Sequence, residues 1–154
     1  MSITATISIF LAKLFFERPA AKQSITELVS ALEAGGREGV ERIAAAPDTE
    51  KNRERLRHII AIERWGQNRL QTPPGTRPQM DESDDYYPPE GLALPELGER
   101  FREARAETVA QARALQAQGV NGRTLPHNQY GEMTVRGWLY YLESHAARDV
   151  KGVT

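Results

Sequence analysis

Apolar side chains recur at steps of three and four residues in four separate stretches of the chain, the pattern of helices with one buried face. The first stretch follows Ser24, whose hydroxyl and the Glu27 carboxylate three residues later have the spacing of a capping box. Its apolar stripe continues in the same helical phase as far as Ile43, across Gly35 and Gly36. We therefore expect one helical segment that these two glycines kink or break.

Three further stretches are predicted as helices. The second helix spans about residues 49–70, begins at a capping threonine and is ended by the Pro-Pro-Gly sequence at 73–75. The third spans about residues 95–118 and starts with a proline, which suits a first helical turn. The fourth starts near Thr134, after a turn-rich link over 119–131. Four such helices bury their apolar faces against one another, so the predicted fold is all-α, a four-helix bundle.

Residues 71–94, between the second and third helices, show no sustained period and hold five of the nine prolines together with an acidic run. Loops of this length within a compact domain usually carry function or lack order. We therefore predict a long crossover loop that can cover a site as a lid.

The N-terminal segment, residues 1–20, is strongly apolar and its period is ambiguous. Ile3, Ile7 and their neighbours alternate with polar residues as in a strand but also fit a helical stripe, and we favour a helix over about residues 8–17. The apolar run is too short to cross a bilayer, contains Lys13 and lacks the basic start of a secretory signal. We expect a cytoplasmic protein without a membrane partner, whose N-terminal segment packs on the bundle or forms a homodimer interface.

Composition narrows the possible partners and ligands. A chain of 154 residues is expected to form a single domain over 1–154. The 20 basic and 21 acidic residues give a net charge of -1, so nucleic acid is not an expected partner. The chain has no cysteine, so a metal site would have to use histidine and carboxylate ligands.

The fourth helix carries a histidine and an aspartate on its apolar face. His145 and Asp149 lie one turn apart, within about 60° of Trp138 and Leu142 around the helix axis. A buried carboxylate is costly unless it is paired or bound to a cation, and this spacing is one that metal ligands use on a helix. A buried His–Asp hydrogen bond, or an aspartate solvated near the helix end, is the alternative.

Two polar residues of the second helix border the same predicted core. His58 lies at the margin of the apolar sector and could be an ordinary half-buried histidine or a third ligand. Glu63 lies within the apolar sector, where it could pair with an arginine across the bundle or form a hydrogen bond in a site.

Two sequence stretches together resemble a known family. The stretch 127–145 carries a loop histidine, a Gly-Glu-Met-Thr turn, a Trp-Leu pair and a second histidine, as in the last helix of the DinB/YfiT-like metalloenzyme superfamily. The stretch 58–65 is similar to the second-helix pattern of that family, a histidine followed by Glu and then an aromatic residue. With the order of helices and the long link, the resemblance covers about residues 24–153.

The resemblance implies that His58 and His145 are metal ligands, with Asp149 in the place of a third ligand that is usually histidine. The expected cofactor is a divalent transition metal, zinc or nickel first, with manganese or iron as alternatives. The carboxylate lowers the net positive charge of the site by one unit relative to three histidines. A bundle that has lost its metal site is the competing interpretation.

The resemblance also implies several functions. Some relatives are S-transferases that use bacillithiol or mycothiol, so the expected partners are a low-molecular-weight thiol and a small-molecule electrophile. A metal-dependent hydrolase, with Glu63 or His127 moving protons, is a second possibility. A stress-related binding protein without activity is a third. For His127 itself, a plain surface position is the simpler interpretation.

Overall fold

The computed structural model describes residues 3–120 and 122–154, and its first part is a helical N-terminal segment. Helix α1 (Ile3–Ala12) continues through a π-helical turn (Lys13–Glu17) into the short helix α2 (Arg18–Ala21). The segment is therefore helical over a longer range than the predicted 8–17, and the strand alternative was wrong. Pro19 has no N–H to donate to the helical ladder, and the wider turn lies just before it.

Four long helices form the bundle. They are α3 (Ile25–Ala45), α4 (Glu50–Leu70), α5 (Leu94–Gln118) and α6 (Val135–Val150). Ser24 and Glu27 form the predicted capping box, with each side chain bonded to the backbone N–H of the other residue. Thr49 and Thr134 cap α4 and α6 through their hydroxyls. These caps satisfy amide groups that a helix start leaves free, which explains why the predicted starts lie within a residue of the observed ones.

Helix α3 runs through Gly35 and Gly36 without a break, so the predicted interruption does not occur. Gly36 lies where α5 crosses α3, and an added Cβ would come within 2.7 Å of the Arg105 side chain. The glycine at position 36 therefore serves close packing of two helices.

The core of the bundle has two parts. One lies near the starts of α3 and α6, and the other lies near the start of α4 and the end of α6. Its fully buried large side chains include Leu28, Leu32, Leu56, Ile59, Leu97, Phe101, Trp138, Leu139 and Leu142. The predicted helical faces are thus the buried ones, and the fold is all-α apart from one small sheet.

The small sheet is a hairpin that the sequence analysis interpreted only as turns. Strand β1 (Thr124–His127) pairs antiparallel with β2 (Gly131–Thr134), with Leu125 opposite Met133. Gly131 has a φ of 73°, a conformation that favours glycine. The hairpin leads directly into α6 and so fixes where that helix begins.

A buried arginine of α4 tethers the middle of the crossover loop to the bundle. Arg69, fully buried at the end of α4, donates to Asp81 at 2.5 Å and to the carbonyl of Pro126 in β1. Tyr86, in a 3-10 turn (Ser83–Tyr86), also contacts Asp81. The loop is therefore joined to both α4 and the hairpin. None of the helices in the described residues combines the length and apolarity that crossing a bilayer would require.

Candidate metal centre

The three predicted ligands come together between α4 and α6. One ligand atom from each of His58, His145 and Asp149 lies within 4.8 Å of the other two. Asp149 Oδ2 is 3.4 Å from Nε2 of His145 and 4.0 Å from Nε2 of His58. Both separations exceed an ordinary N–H···O hydrogen bond. The cluster is thus more open than the His–Asp hydrogen bond that was the alternative.

The donor set fits a divalent transition metal. Zinc bonds to imidazole nitrogen and carboxylate oxygen are about 2.0–2.2 Å long, which puts neighbouring ligand atoms about 3.0–3.5 Å apart. The separations between the ligand atoms of His58, His145 and Asp149 run from 3.4 Å to at most 4.8 Å. Side-chain movements of about an ångström would therefore allow all three atoms to bind one ion. Neutral imidazole and carboxylate are also the ligand types that such ions take in the absence of thiolates.

His58 is oriented by a residue of the crossover loop. Its Nδ1 is 3.0 Å from the Tyr87 hydroxyl, while its Nε2 faces Asp149. When Nδ1–H donates to that hydroxyl, Nε2 keeps the lone pair that a metal requires. Arg57 holds this part of the loop by donating to the Pro88 carbonyl at 3.0 and 3.1 Å. Tyr87 is a functional candidate that the sequence analysis passed over.

His145 is held in its neutral form by burial. Its side chain is 9% exposed, and burial lowers its pKa to about 4, although the Asp149 carboxylate acts in the opposite direction. A neutral imidazole at physiological pH is the form that binds metal. Within the described part of the chain, no hydrogen-bond partner reaches its buried Nδ1.

Asp149 divides its two oxygens between different neighbours. Arg148 donates through Nε to Oδ1 at 2.9 Å, and Oδ2 faces the two imidazoles. The Asp149 side chain is 16% exposed, so it is neither fully buried nor freely solvated. The arginine fixes the carboxylate with one oxygen directed at the histidines.

A cavity of about 270 Å³ opens beside the two histidines. Its walls combine aromatic and apolar side chains with polar ones in about equal measure. The lining residues are Phe16, His58, Ile62, Gln129, Tyr130, Tyr141, Ser144, His145 and Arg148. This volume is just below the usual range for pockets that hold drug-sized ligands, so the space suits a small compound.

Glu63 lies apart from this cluster and is engaged elsewhere. Its carboxylate accepts from Arg105 Nη2 at 3.1 Å and from the Thr108 hydroxyl at 2.6 Å, with all three side chains buried. The pairing with an arginine across the bundle is therefore present. Glu63 is not among the described residues that line the cavity beside the histidines.

His127 is buried, so the simple expectation of a surface histidine was wrong. Its Nδ1 accepts from the backbone N–H groups of Gln129 and Tyr130, and its ring packs against those of Trp65 and Trp138. Burial, with a smaller effect of the Arg69 charge, lowers its pKa to about 3. His127 thus holds the hairpin turn behind Tyr130 as a neutral ring.

One of three comparisons with known proteins found a match. The sequence model of the DinB superfamily matches residues 20–150, which is most of the chain. Searches of curated proteins and of solved structures gave no match. The matched range includes all three clustered residues and excludes the helical segment before residue 20.

Proposed function

This chain belongs to the DinB superfamily, and from that premise we propose that it is a divalent-metal-dependent enzyme acting on a small molecule. The observation that carries the proposal is the convergence of His58, His145 and Asp149 beside a cavity. Three protein ligands leave positions open for a substrate, which is typical of catalytic and not of structural sites. Zinc or nickel suits this donor set best, with manganese or iron as alternatives.

The residues around the cluster would prepare it in separate ways. Tyr87 holds the His58 ring with Nε2 directed inwards, and Arg148 holds the Asp149 carboxylate. Burial keeps His145 unprotonated at neutral pH, so no proton has to leave before it can serve as a ligand. The ion, when bound, would supply Lewis acidity that lowers the pKa of a thiol or water beside it.

We propose transfer to a low-molecular-weight thiol, of the bacillithiol or mycothiol type, as the reaction class. The thiol would release its proton to solvent, and its sulfur would form a bond to an electrophilic carbon. Either a leaving group departs with its bonding electron pair, or a double bond is saturated and the neighbouring carbon takes up a proton. Among the described residues that line the cavity, none is a glutamate, an aspartate or a lysine that could serve as a base for water. A nucleophile brought by a cosubstrate fits such a lining better than hydrolysis does.

The roles predicted for Glu63 and His127 in proton transfer remain predictions. The contacts of Glu63 with Arg105 and Thr108 occupy its carboxylate, and His127 offers no free lone pair because two backbone amides point at Nδ1. Both sets of contacts favour structural roles. A hydrolase that depends on either residue is therefore the weaker proposal.

Metal analysis of protein purified without an affinity tag tests the proposal. We expect about one equivalent of zinc or nickel per chain, lost in His145→Ala and strongly reduced in Asp149→Asn. His127→Asn is the matched control, because it removes the third histidine but keeps an acceptor for the two amides, and it should retain the metal. Wild-type protein that binds no metal, or His145→Ala protein that still binds it, would contradict the proposal.

The reaction class needs a separate assay. Metal-loaded protein is mixed with bacillithiol or mycothiol and a small electrophile, and loss of free thiol is followed. Acceleration that disappears in His145→Ala is expected. Metal binding without acceleration for either thiol would leave the metal site standing and count against thiol transfer.

A further inference from the structure

The helical segment that precedes the family-matched range supplies one wall of the cavity. Phe16, in the π-helical turn, lines the cavity together with His58 and His145. The centroid of its ring lies 5.2 Å from that of Tyr130 and 5.3 Å from that of Tyr141. It meets the Tyr141 ring edge-on. Three aromatic rings from three different parts of the chain therefore border the space beside the imidazoles.

Phe16 is held in place by its neighbour Glu17. The Glu17 carboxylate accepts from the backbone N–H of Thr134 at 2.8 Å and from its hydroxyl at 2.9 Å. This places a negative charge at the start of α6, where free amides and the helix dipole favour an anion. Gly137 makes the approach possible, because an added Cβ there would overlap the carboxylate. The π-helical turn is thus fixed to the helix that carries His145.

We infer that Phe16 is a specificity-determining residue of this cavity and selects ligands that carry a small flat apolar group next to their polar end. The inference rests on the proposed function, since it concerns the same site. The rings of Phe16, Tyr130 and Tyr141 would pack against such a group, while the histidine cluster and Arg148 lie at the polar side. Because the family match begins at residue 20, this wall is a property of the present chain and not of the matched family range.

Imidazole and 4-phenylimidazole are suitable probes, since they share one polar ring and differ by a phenyl group. Binding is measured by NMR titration of the full chain, with zinc added and again without metal. We expect 4-phenylimidazole to bind about tenfold more tightly than imidazole, the order expected from burying part of a phenyl ring. Phe16→Ala should reduce that preference about fivefold, and Phe16→Trp should exclude the larger probe while admitting imidazole.

Phe15→Ala is the matched control, because Phe15 is the adjacent residue and its ring is 56% exposed. It should leave the preference unchanged. If Phe16→Ala does not fold, Phe16→Trp still decides the question, since it keeps an aromatic ring packed against the core. Equal preference in wild type and in the Phe16 variants, or no preference in wild type with or without zinc, would overturn the inference. If wild-type protein binds no zinc but still prefers 4-phenylimidazole, the proposed function fails and the inference about Phe16 stands.

Discussion

At the scale of single residues, each candidate ligand owes its state to its immediate surroundings. The Tyr87 hydroxyl selects the orientation of His58, Arg148 occupies one oxygen of Asp149, and burial keeps His145 neutral. Residues that contact the ligands of a metal, as Tyr87 and Arg148 contact the candidate ligands here, govern how tightly a site binds its ion. Substitutions of such contacting residues should therefore alter metal affinity without removing a ligand.

Tyr87→Phe is expected to weaken zinc binding by about tenfold while leaving the fold intact, since only one hydrogen bond to His58 is lost. Competition with a chelator measures the affinity. Tyr86→Phe is the control: Tyr86 contacts Asp81, which keeps its bond to Arg69 when that hydroxyl is removed. Affinity that is unchanged in Tyr87→Phe, or reduced equally in both variants, would contradict the assigned role.

The two buried histidines should make metal-free protein acid-sensitive. Their pKa values are about 3 for His127 and about 4 for His145, against 6.5 for an unperturbed histidine. Between pH 6.5 and 4 the unfolded chain therefore takes up protons that the folded chain does not. The contribution of these histidines to the free energy of unfolding has its full value above pH 6.5. Between pH 6.5 and 4 it should fall by about 1.4 kcal/mol per pH unit for each histidine.

Urea unfolding of metal-free protein at several pH values checks this dependence. His127→Asn should lower the slope by about 1.4 kcal/mol per pH unit, because one of the two groups no longer titrates. The contribution of carboxylates to the slope is common to both proteins and cancels in the comparison. Equal slopes for wild type and His127→Asn would show that His127 is not held neutral by burial.

Single-residue predictions from the sequence succeeded where helical geometry determines the side-chain direction. His145 and Asp149 share one face of a helix, and that face is the one that meets His58. Tyr87 was missed because it lies in a loop without period, and no local pattern indicates which histidine it reaches. His127 was misplaced because a histidine next to a turn is usually exposed, whereas here four aromatic rings cover it.

At the scale of elements, boundaries were predictable wherever a cap or a proline marks them. The starts of α3, α4 and α6 follow Ser24, Thr49 and Thr134, whose hydroxyls cap them. The hairpin was missed because its strands have four residues each and show little alternation. The N-terminal segment was only partly predicted, because residues apolar on every side of a helix carry no clear period.

At the junction between the N-terminal segment and α6, the effect of Gly137→Ala on stability should depend on whether the Glu17 carboxylate is present. Gly137→Ala should destabilise wild-type protein, since the new Cβ would displace the Glu17 carboxylate. In Glu17→Ala protein the same change should cost much less, because the carboxylate is gone and only the Thr134 hydroxyl, 3.2 Å from the new Cβ, still has to shift. Urea unfolding of the four proteins in this cycle measures both effects.

Glu17→Ala alone should cost about 1 kcal/mol, the usual effect of losing a capping carboxylate. Glu27→Ala is the comparison, because it removes a cap that lies within a single helix start. The two losses should be similar in size, yet only Glu17→Ala should expose the first helix to proteases. A Gly137→Ala effect of the same size in both backgrounds would contradict the close approach of the Glu17 carboxylate.

At the scale of the whole molecule, the described surface has one apolar region on the N-terminal segment. Its side chains point away from the bundle: Ile7, Phe10, Leu11, Leu14 and Phe15. Phe10 is 64% exposed, which is unusual for an aromatic residue on a free surface. The predicted homodimer would cover this face, with the same patch on both chains around a two-fold axis.

Phe10→Glu combined with Phe15→Glu is expected to convert the dimer into a monomer, because two charges per chain would have to be buried. Light scattering after size-exclusion chromatography gives the mass of each form. Glu33→Gln together with Glu107→Gln changes two charges away from the segment and should leave the mass unchanged. A wild-type protein that is monomeric at all concentrations tested would contradict the prediction.

The crossover loop combines a tethered half and a free tip, and this has a practical consequence. Arg69 and Asp81 fix the loop on one side, whereas the turn around Gly75 is exposed and an added Cβ there would meet open space. Exposed tips of this kind accept inserted sequence, provided that the φ of 77° at the glycine is kept. A fluorescent reporter placed beside Gly75 would therefore sense movement of the loop tip while leaving the Tyr87 side untouched.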